Sequence, residues 1–225
     1  MNQKYWEPFG ASWLASLKEL SNTKSSLVVI DFGLNPIIKD FLRSQNVIVI
    51  GKKNPTTNYR NETLMTVLEL SEQQEGNFVY FDADCWFQSN PDEIFDMIED
   101  KILMSENKNH GFLAANHIGW RKFAQIRRMT HSLGDENILP SLTKYFMSNI
   151  NFIDNKYNCI SPDVIVEGNL LSCKGIPQIV MHPSGTLKKI DAARHMFFIN
   201  NHSDLYQRYR LYKMFKISRK IFFYD

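Results

Sequence analysis

Three shortages in this chain each exclude a class of protein. Cysteine is scarce: Cys85, Cys159 and Cys173 are the only three among 225 residues. An odd number without metal-knuckle spacing argues against a disulfide scaffold or a zinc ribbon. Reduced, packed thiols in a cytosol-like compartment are expected instead. Charge of one sign is also lacking. Lys and Arg number 26 against 24 Asp and Glu, a net charge of +2, so the chain lacks the basicity of a nucleic-acid binder and no nucleic-acid partner is expected. Long apolar runs are absent too: none approaches the roughly 18 residues that cross a bilayer. The opening MNQKYWEPFG lacks the basic-then-apolar plan of a secretory leader. These features predict a soluble, cytoplasmic protein, at most peripheral to the cytoplasmic face of a membrane.

What is present points to a folded enzyme-sized domain. An apolar content of 44% is enough for one sizeable core. ASWLASLKEL spaces Trp13, Leu14, Leu17 and Leu20 for a helix. SSLVVIDFG is a buried-strand pattern ending at Gly33, and Asn35 and Pro36 then open a helix over NPIIKDFLRSQ. NVIVIG, ETLMTVLELSEQQ, NFVYFDAD and NPDEIFDMIEDKI repeat the alternation of strand and helix. The rhythm then loosens: GFLAANHIGW reads as a strand and a turn, RKFAQIRRMTHSL and NILPSLTKYFMSN as helices, and PQIVMH as a short strand. The fold class expected is α/β, a mostly parallel central sheet flanked by helices over residues 1–203. Residues 204–225 form a basic, aromatic-rich helical tail, with six basic residues from Arg208 to Lys220. That tail suits either a membrane surface or a packed helix with a solvated basic face.

The most informative stretch is FVYFDADCWF, residues 78 to 87. Two carboxylates, Asp82 and Asp84, end an apolar strand, where an unpartnered charge costs several kcal/mol. Residues i and i+2 of a strand point to one side, so both can converge on one ligand. Divalent cations favour such oxygen donors, and a bound cation removes the mutual repulsion of the pair. The bland alternative is an exposed strand end that feeds a capped helix. In parallel sheets ligands bind beyond the carboxyl ends of the strands, and Asp31 lies at another such end.

FVYFDADCWFQSNPDEIFDM resembles the DxD segment of nucleotide-sugar-dependent glycosyltransferases with the GT-A (Rossmann-like) fold, closest in flavour to the retaining glycosyltransferase family 8. The resemblance implies that Asp82 and Asp84 contact a metal, Mn²⁺ or Mg²⁺, and the ribose and diphosphate of the donor, with Ala83 beside them. A second segment, His182-Pro183-Ser184-Gly185-Thr186-Leu187-Lys188, matches the family's H-x-x-G-x-x-K. It implies His182 as third metal ligand, with Gly185 and Lys188 facing the diphosphate. Imidazole suits Mn²⁺, glycine permits close approach and lysine offsets phosphate charge. The usual Pro-Trp after the lysine is replaced by Lys189-Ile190.

Weaker echoes fill the space between. GDENILPSL is similar to the family's D-Q-x-x-L-N segment and offers Asp135 and Glu136 as catalytic candidates, against a helix cap as the alternative. DNKYNCIS offers Asn158 for the acceptor, against a turn. Arg60 is a candidate donor-binding arginine, and Tyr5 or Trp6 could stack on the base or pack in the core. The family's opening strand is missing or very short here, as if the chain were one domain of a longer protein. The resemblance spans roughly residues 5 to 190, and only the DxD and H-x-x-G-x-x-K segments are specific.

The function expected is therefore transfer of a hexose from a UDP-sugar, UDP-glucose or UDP-galactose, to a hydroxyl of a glycan, glycoprotein or lipid-linked sugar. The resemblance implies retention; an inverting reaction would use Asp135 or Glu136 as base. The alternatives are a haloacid dehalogenase-type phosphatase, which would need a Gly-Thr turn where Cys85-Trp86 stands, and a non-catalytic nucleotide-sugar- or partner-binding domain.

Overall fold

The structure is a computed structural model. It describes residues 1, 3, 6, 10–53, 59–83, 85–106, 111–132, 147–160, 164–167, 170–173, 175–177 and 179–182. Helix α1, Ala11–Ala15, continues as a π-helical stretch, Ser16–Leu20. Strands β1, Leu27–Asp31, and β2, Val47–Gly51, pair in parallel from Leu27↔Val47 to Asp31↔Gly51. Between them runs α2, Pro36–Ser44, started by the Asn35 side chain accepting the Ile37 N–H at 3.0 Å. Asn46, at φ +58°, takes the left-handed conformation that ends α2. Leu42 of α2 packs with Val29 and Val47, fixing the helix on one face of the pair.

Helix α3, Tyr59–Gln73, leads into β3, Asn77–Phe81. The second sheet has the order β3–β6–β5–β7, where β5 is Ile102–Ser105, β6 Phe112–Asn116 and β7 Ile150–Ile153. β5 and β7 are parallel, while β6 runs against both β3 and β5. The expected α/β class holds, but this sheet is mixed: β6 is reversed, so two of its three pairings are antiparallel, and β1 and β2 form a separate parallel pair. Helix α4, His117–Ser132, covers it with α3; Trp120 and Phe123 meet Leu64 and Leu68 in the largest core cluster. The Trp120 Nε1–H donates to the Phe78 carbonyl at 3.1 Å, so the largest core side chain is also polar-satisfied.

Two smaller sheets complete the described chain. β4, Trp86–Phe87, β12, Val180–His182, and β8, Cys159–Ile160, form the order β4–β12–β8. β9, Val164–Glu167, β10, Leu170–Cys173, and β11, Ile176–Pro177, form an antiparallel meander.

Several elements differ from expectation. NPDEIFDMIEDKI is not a full helix: it makes a 3₁₀ stretch, Asp92–Met97, and then enters β5. All four β5 residues are buried between β6 and β7, and a short apolar run carries no period that separates strand from helix. The HIGW expected as a turn opens α4 instead, with Asn116 Oδ1 accepting the Gly119 N–H at 2.9 Å as its cap. INFI, unassigned from sequence, is β7. PQIVMH is divided between β11 and β12. At the front, Met1 lies on the edge of β1 away from β2. Its amino group donates to the Ile30 carbonyl, and its carbonyl accepts the Phe32 N–H at 2.9 Å. Among the described residues these two bonds are the only backbone pairing ahead of β1, in keeping with an opening strand that is missing or very short. The basic tail, 204–225, lies outside the described residues.

Candidate active site

Asp82 is placed by the ladder of β3. Its N–H donates to the Gly111 carbonyl at 2.9 Å, one step past the last β3–β6 pair, Phe81↔Phe112. Its own carbonyl accepts the Cys85 N–H at 3.1 Å, which turns the chain sharply after β3. Tyr80, two residues earlier on the same strand face, donates its hydroxyl to Asp82 Oδ1.

The turn has a second consequence. It sends the chain straight into β4, which pairs antiparallel with β12 through Phe87↔Val180 and Trp86↔Met181. His182, the next residue, is thereby carried to Asp82: His182 Nε2 lies 3.4 Å from Asp82 Oδ2. β8 holds β12 from the other side, His182 opposite Ile160. His182 is 2% exposed. Two residues remote in sequence are thus brought together by backbone pairing, with no need for long side chains to search for each other.

This pair fits a divalent cation. One donor is a carboxylate oxygen, the other an imidazole nitrogen, a combination suited to Mn²⁺. Two ligands at right angles, each about 2.1 Å from one ion, are about 3 Å apart, close to the separation seen. Among the described residues no third His, Cys, Asp or Glu joins them. Asp84 lies outside the described residues, as do Tyr5, Asp135, Glu136, Gly185 and Lys188. Ala83 forms the turn beside Asp82.

Asp31 serves its own turn. Oδ1 accepts the N–H groups of Gly33 at 2.8 Å and Leu34 at 2.6 Å, and Oδ2 pairs with Lys39 Nζ at 3.3 Å. Gly33 is glycine for a reason, since φ is +101° there. Arg60 lies in the first turn of α3. Asn158 is fully buried and donates from Nδ2 to Ser105 Oγ at 3.0 Å, tying the end of β5 to the start of β8. Trp6 is core: it is 5% exposed and clusters with Trp13 and Leu14. Cys85 is buried, with its Sγ 3.8 Å from the Gly111 carbonyl.

Sequence reasoning missed Tyr80 and Gly111. Tyr80 was within reach, because an i−2 position on a strand shares the face of Asp82. Gly111 carries no local signal; its role exists only once β12 is in place.

No protein-family model and no curated protein sequence matches the chain. Solved structures do. The galactosyltransferase LgtC, in complex with donor and acceptor sugar analogs, aligns over 86% of this chain and 94% of its own, with TM-score 0.60 and 13% identity. The glycosyltransferase GlyE of Streptococcus pneumoniae TIGR4 aligns over 92% of this chain and 61% of its own, with TM-score 0.59 and 12% identity. Mouse xyloside xylosyltransferase 1, in its apo form, aligns over 81% of this chain and 95% of its own, with TM-score 0.53 and 12% identity. The chain shares the fold of these glycosyltransferases, the GT-A fold.

Proposed function

We propose that this protein is a metal-dependent glycosyltransferase that moves a hexose from a UDP-sugar to a hydroxyl acceptor. The observation that carries the reading is the meeting of Asp82 and His182 at 3.4 Å, on a glycosyltransferase fold. In this reading Asp82, Asp84 and His182 hold Mn²⁺ or Mg²⁺. The bound ion supplies positive charge to the departing nucleoside diphosphate.

The residues of the chain do the rest. The β3–β6 ladder and the Tyr80 hydroxyl fix the Asp82 carboxylate before any ligand arrives, so little reorganisation is needed on binding. Lys188 adds a second positive charge where the leaving group gathers negative charge. Gly185 lets the backbone approach the diphosphate. Tyr5 and Arg60 contribute to the donor. The bond from the sugar's anomeric carbon to the diphosphate oxygen breaks, and one to the acceptor oxygen forms. The acceptor's proton leaves with the departing diphosphate in a retaining reaction, the outcome the family resemblance favours. In an inverting one it goes to Asp135 or Glu136.

The test is calorimetric titration with UDP, UDP-glucose and UDP-galactose, with and without Mn²⁺, and GDP-mannose as control. Mn²⁺-dependent UDP binding is expected. A folded protein that binds no nucleotide under any of these conditions sinks the reading.

A further inference from the structure

Gly111 precedes β6 and touches both members of the pair. Its carbonyl accepts the Asp82 N–H at 2.9 Å and lies 3.8 Å from the Cys85 Sγ. A Cβ at position 111 would fall 2.2 Å from both Cε1 and Nδ1 of His182 and 2.9 Å from Cγ. Such distances are impossible for real atoms, so the imidazole lies flat against the place where any other residue would carry its side chain. Glycine is not required here for backbone conformation. Gly33, Gly76 and Gly175 adopt positive φ, and Gly111 does not. Space alone accounts for it.

Neither side can yield easily. Phe112, the next residue, is fully buried; its ring centroid lies 5.2 Å from that of Phe81 and 6.0 Å from that of Tyr157. His182 is buried, and its strand is paired on both edges, to β4 and β8. An added methyl must therefore drive the imidazole off, or push the Gly111 peptide away and stretch its bond to Asp82. Both displacements separate Asp82 from His182.

Resting on the metal reading above, we propose that Gly111 is a positioning residue. It sets the approach of His182 to Asp82, and so the geometry offered to a divalent cation. Four proteins test this: the wild type, Gly111→Ala, His182→Ala and the double variant. Two readouts are taken, the thermal midpoint without metal and the Mn²⁺ affinity from the electron paramagnetic resonance of free Mn²⁺. Gly111→Ala should weaken Mn²⁺ binding roughly 10–100-fold, the range for losing support around a ligand, and should lower the midpoint. In the His182→Ala background the same change should do neither, because the ring it strikes is gone.

Equal loss of midpoint in both backgrounds would overturn the proposal, as would wild-type Mn²⁺ affinity in Gly111→Ala. If Gly111→Ala does not fold, recovery of folding in the double variant supports the proposal and failure to recover overturns it. A wild type that binds no Mn²⁺ removes the metal reading instead; the thermal cycle then decides the role of Gly111 alone.

Discussion

The Tyr80 hydroxyl donates to Oδ1 of Asp82, leaving Oδ2 turned toward His182. One residue on the strand thus assigns the two oxygens of another to different directions. Tyr80 is 7% exposed and belongs to the central core. Hydrogen bonds to charged groups contribute about 1.5–3 kcal/mol. Tyr80→Phe keeps the ring and removes only the donor. It should lower Mn²⁺-dependent UDP affinity by about tenfold, since 1.4 kcal/mol is a factor of ten, with a modest loss of stability. Titration calorimetry and a urea melt measure the two effects. Unchanged affinity would show that Asp82 needs no such guide.

His182→Ala should reduce Mn²⁺ binding and sugar transfer together. The cavity it leaves sits beside Gly111, so some stability should be lost as well. Calorimetry in Mn²⁺ with UDP is the measurement. A variant as active as the parent would remove His182 from the site, and the 3.4 Å approach to Asp82 would be a structural contact only.

Acid sensitivity should trace in part to Asp92. Burial pushes its carboxyl up, but the Thr23 hydroxyl, the Lys24 N–H at 3.0 Å, the Ser25 hydroxyl at 3.2 Å and Asn90 outweigh that, so it lies below its ordinary 3.8. A carboxyl depressed in the folded state binds protons more readily when unfolded. Its contribution is therefore complete above the ordinary value and is lost as pH falls through the folded one. Asp92→Asn should flatten stability between about pH 5 and pH 2, read from urea midpoints across that range. The same acid slope in parent and variant would place the sensitivity elsewhere.

Trp120 should matter to folding and to nothing else. It is fully buried, edge-on to Phe123 with centroids 5.9 Å apart, and donates to Phe78. Trp120→Ala should cost about 3–5 kcal/mol in denaturant melts. Nucleotide affinity of the fraction that stays folded should not change.

The sequence made a good part of this legible, for identifiable reasons. β1, β2 and β3 are short β-branched or aromatic runs closed by Gly33, Gly51 and the DxD turn, and their edges were marked by residues whose backbone preferences are local. Asn35 and Pro36 announced α2 because capping acts over three residues. The 92–105 region misled because Asn90, Pro91 and Asp92 are strong helix openers, while Ile102–Ser105 takes its state from β6 and β7. Asp92 spends its carboxylate on residues 23 to 25, a contact invisible along the chain. The sequence pattern places Asp31 at a strand end suited to a ligand; in the fold its oxygens accept from the turn and pair with Lys39.

By itself, then, the sequence determined the alternation of elements and the delivery of Asp82 to a strand end, since both follow from interactions between near neighbours. Only the tertiary structure decided that His182 stands beside Asp82 and that Gly111 leaves it room. Those contacts come from the pairing of β4 with β12 and of β3 with β6. Pairing across a sheet joins segments with no local record of each other, because backbone hydrogen bonds are chemically alike at every residue. Which strand receives which is settled by how the apolar faces close over one core.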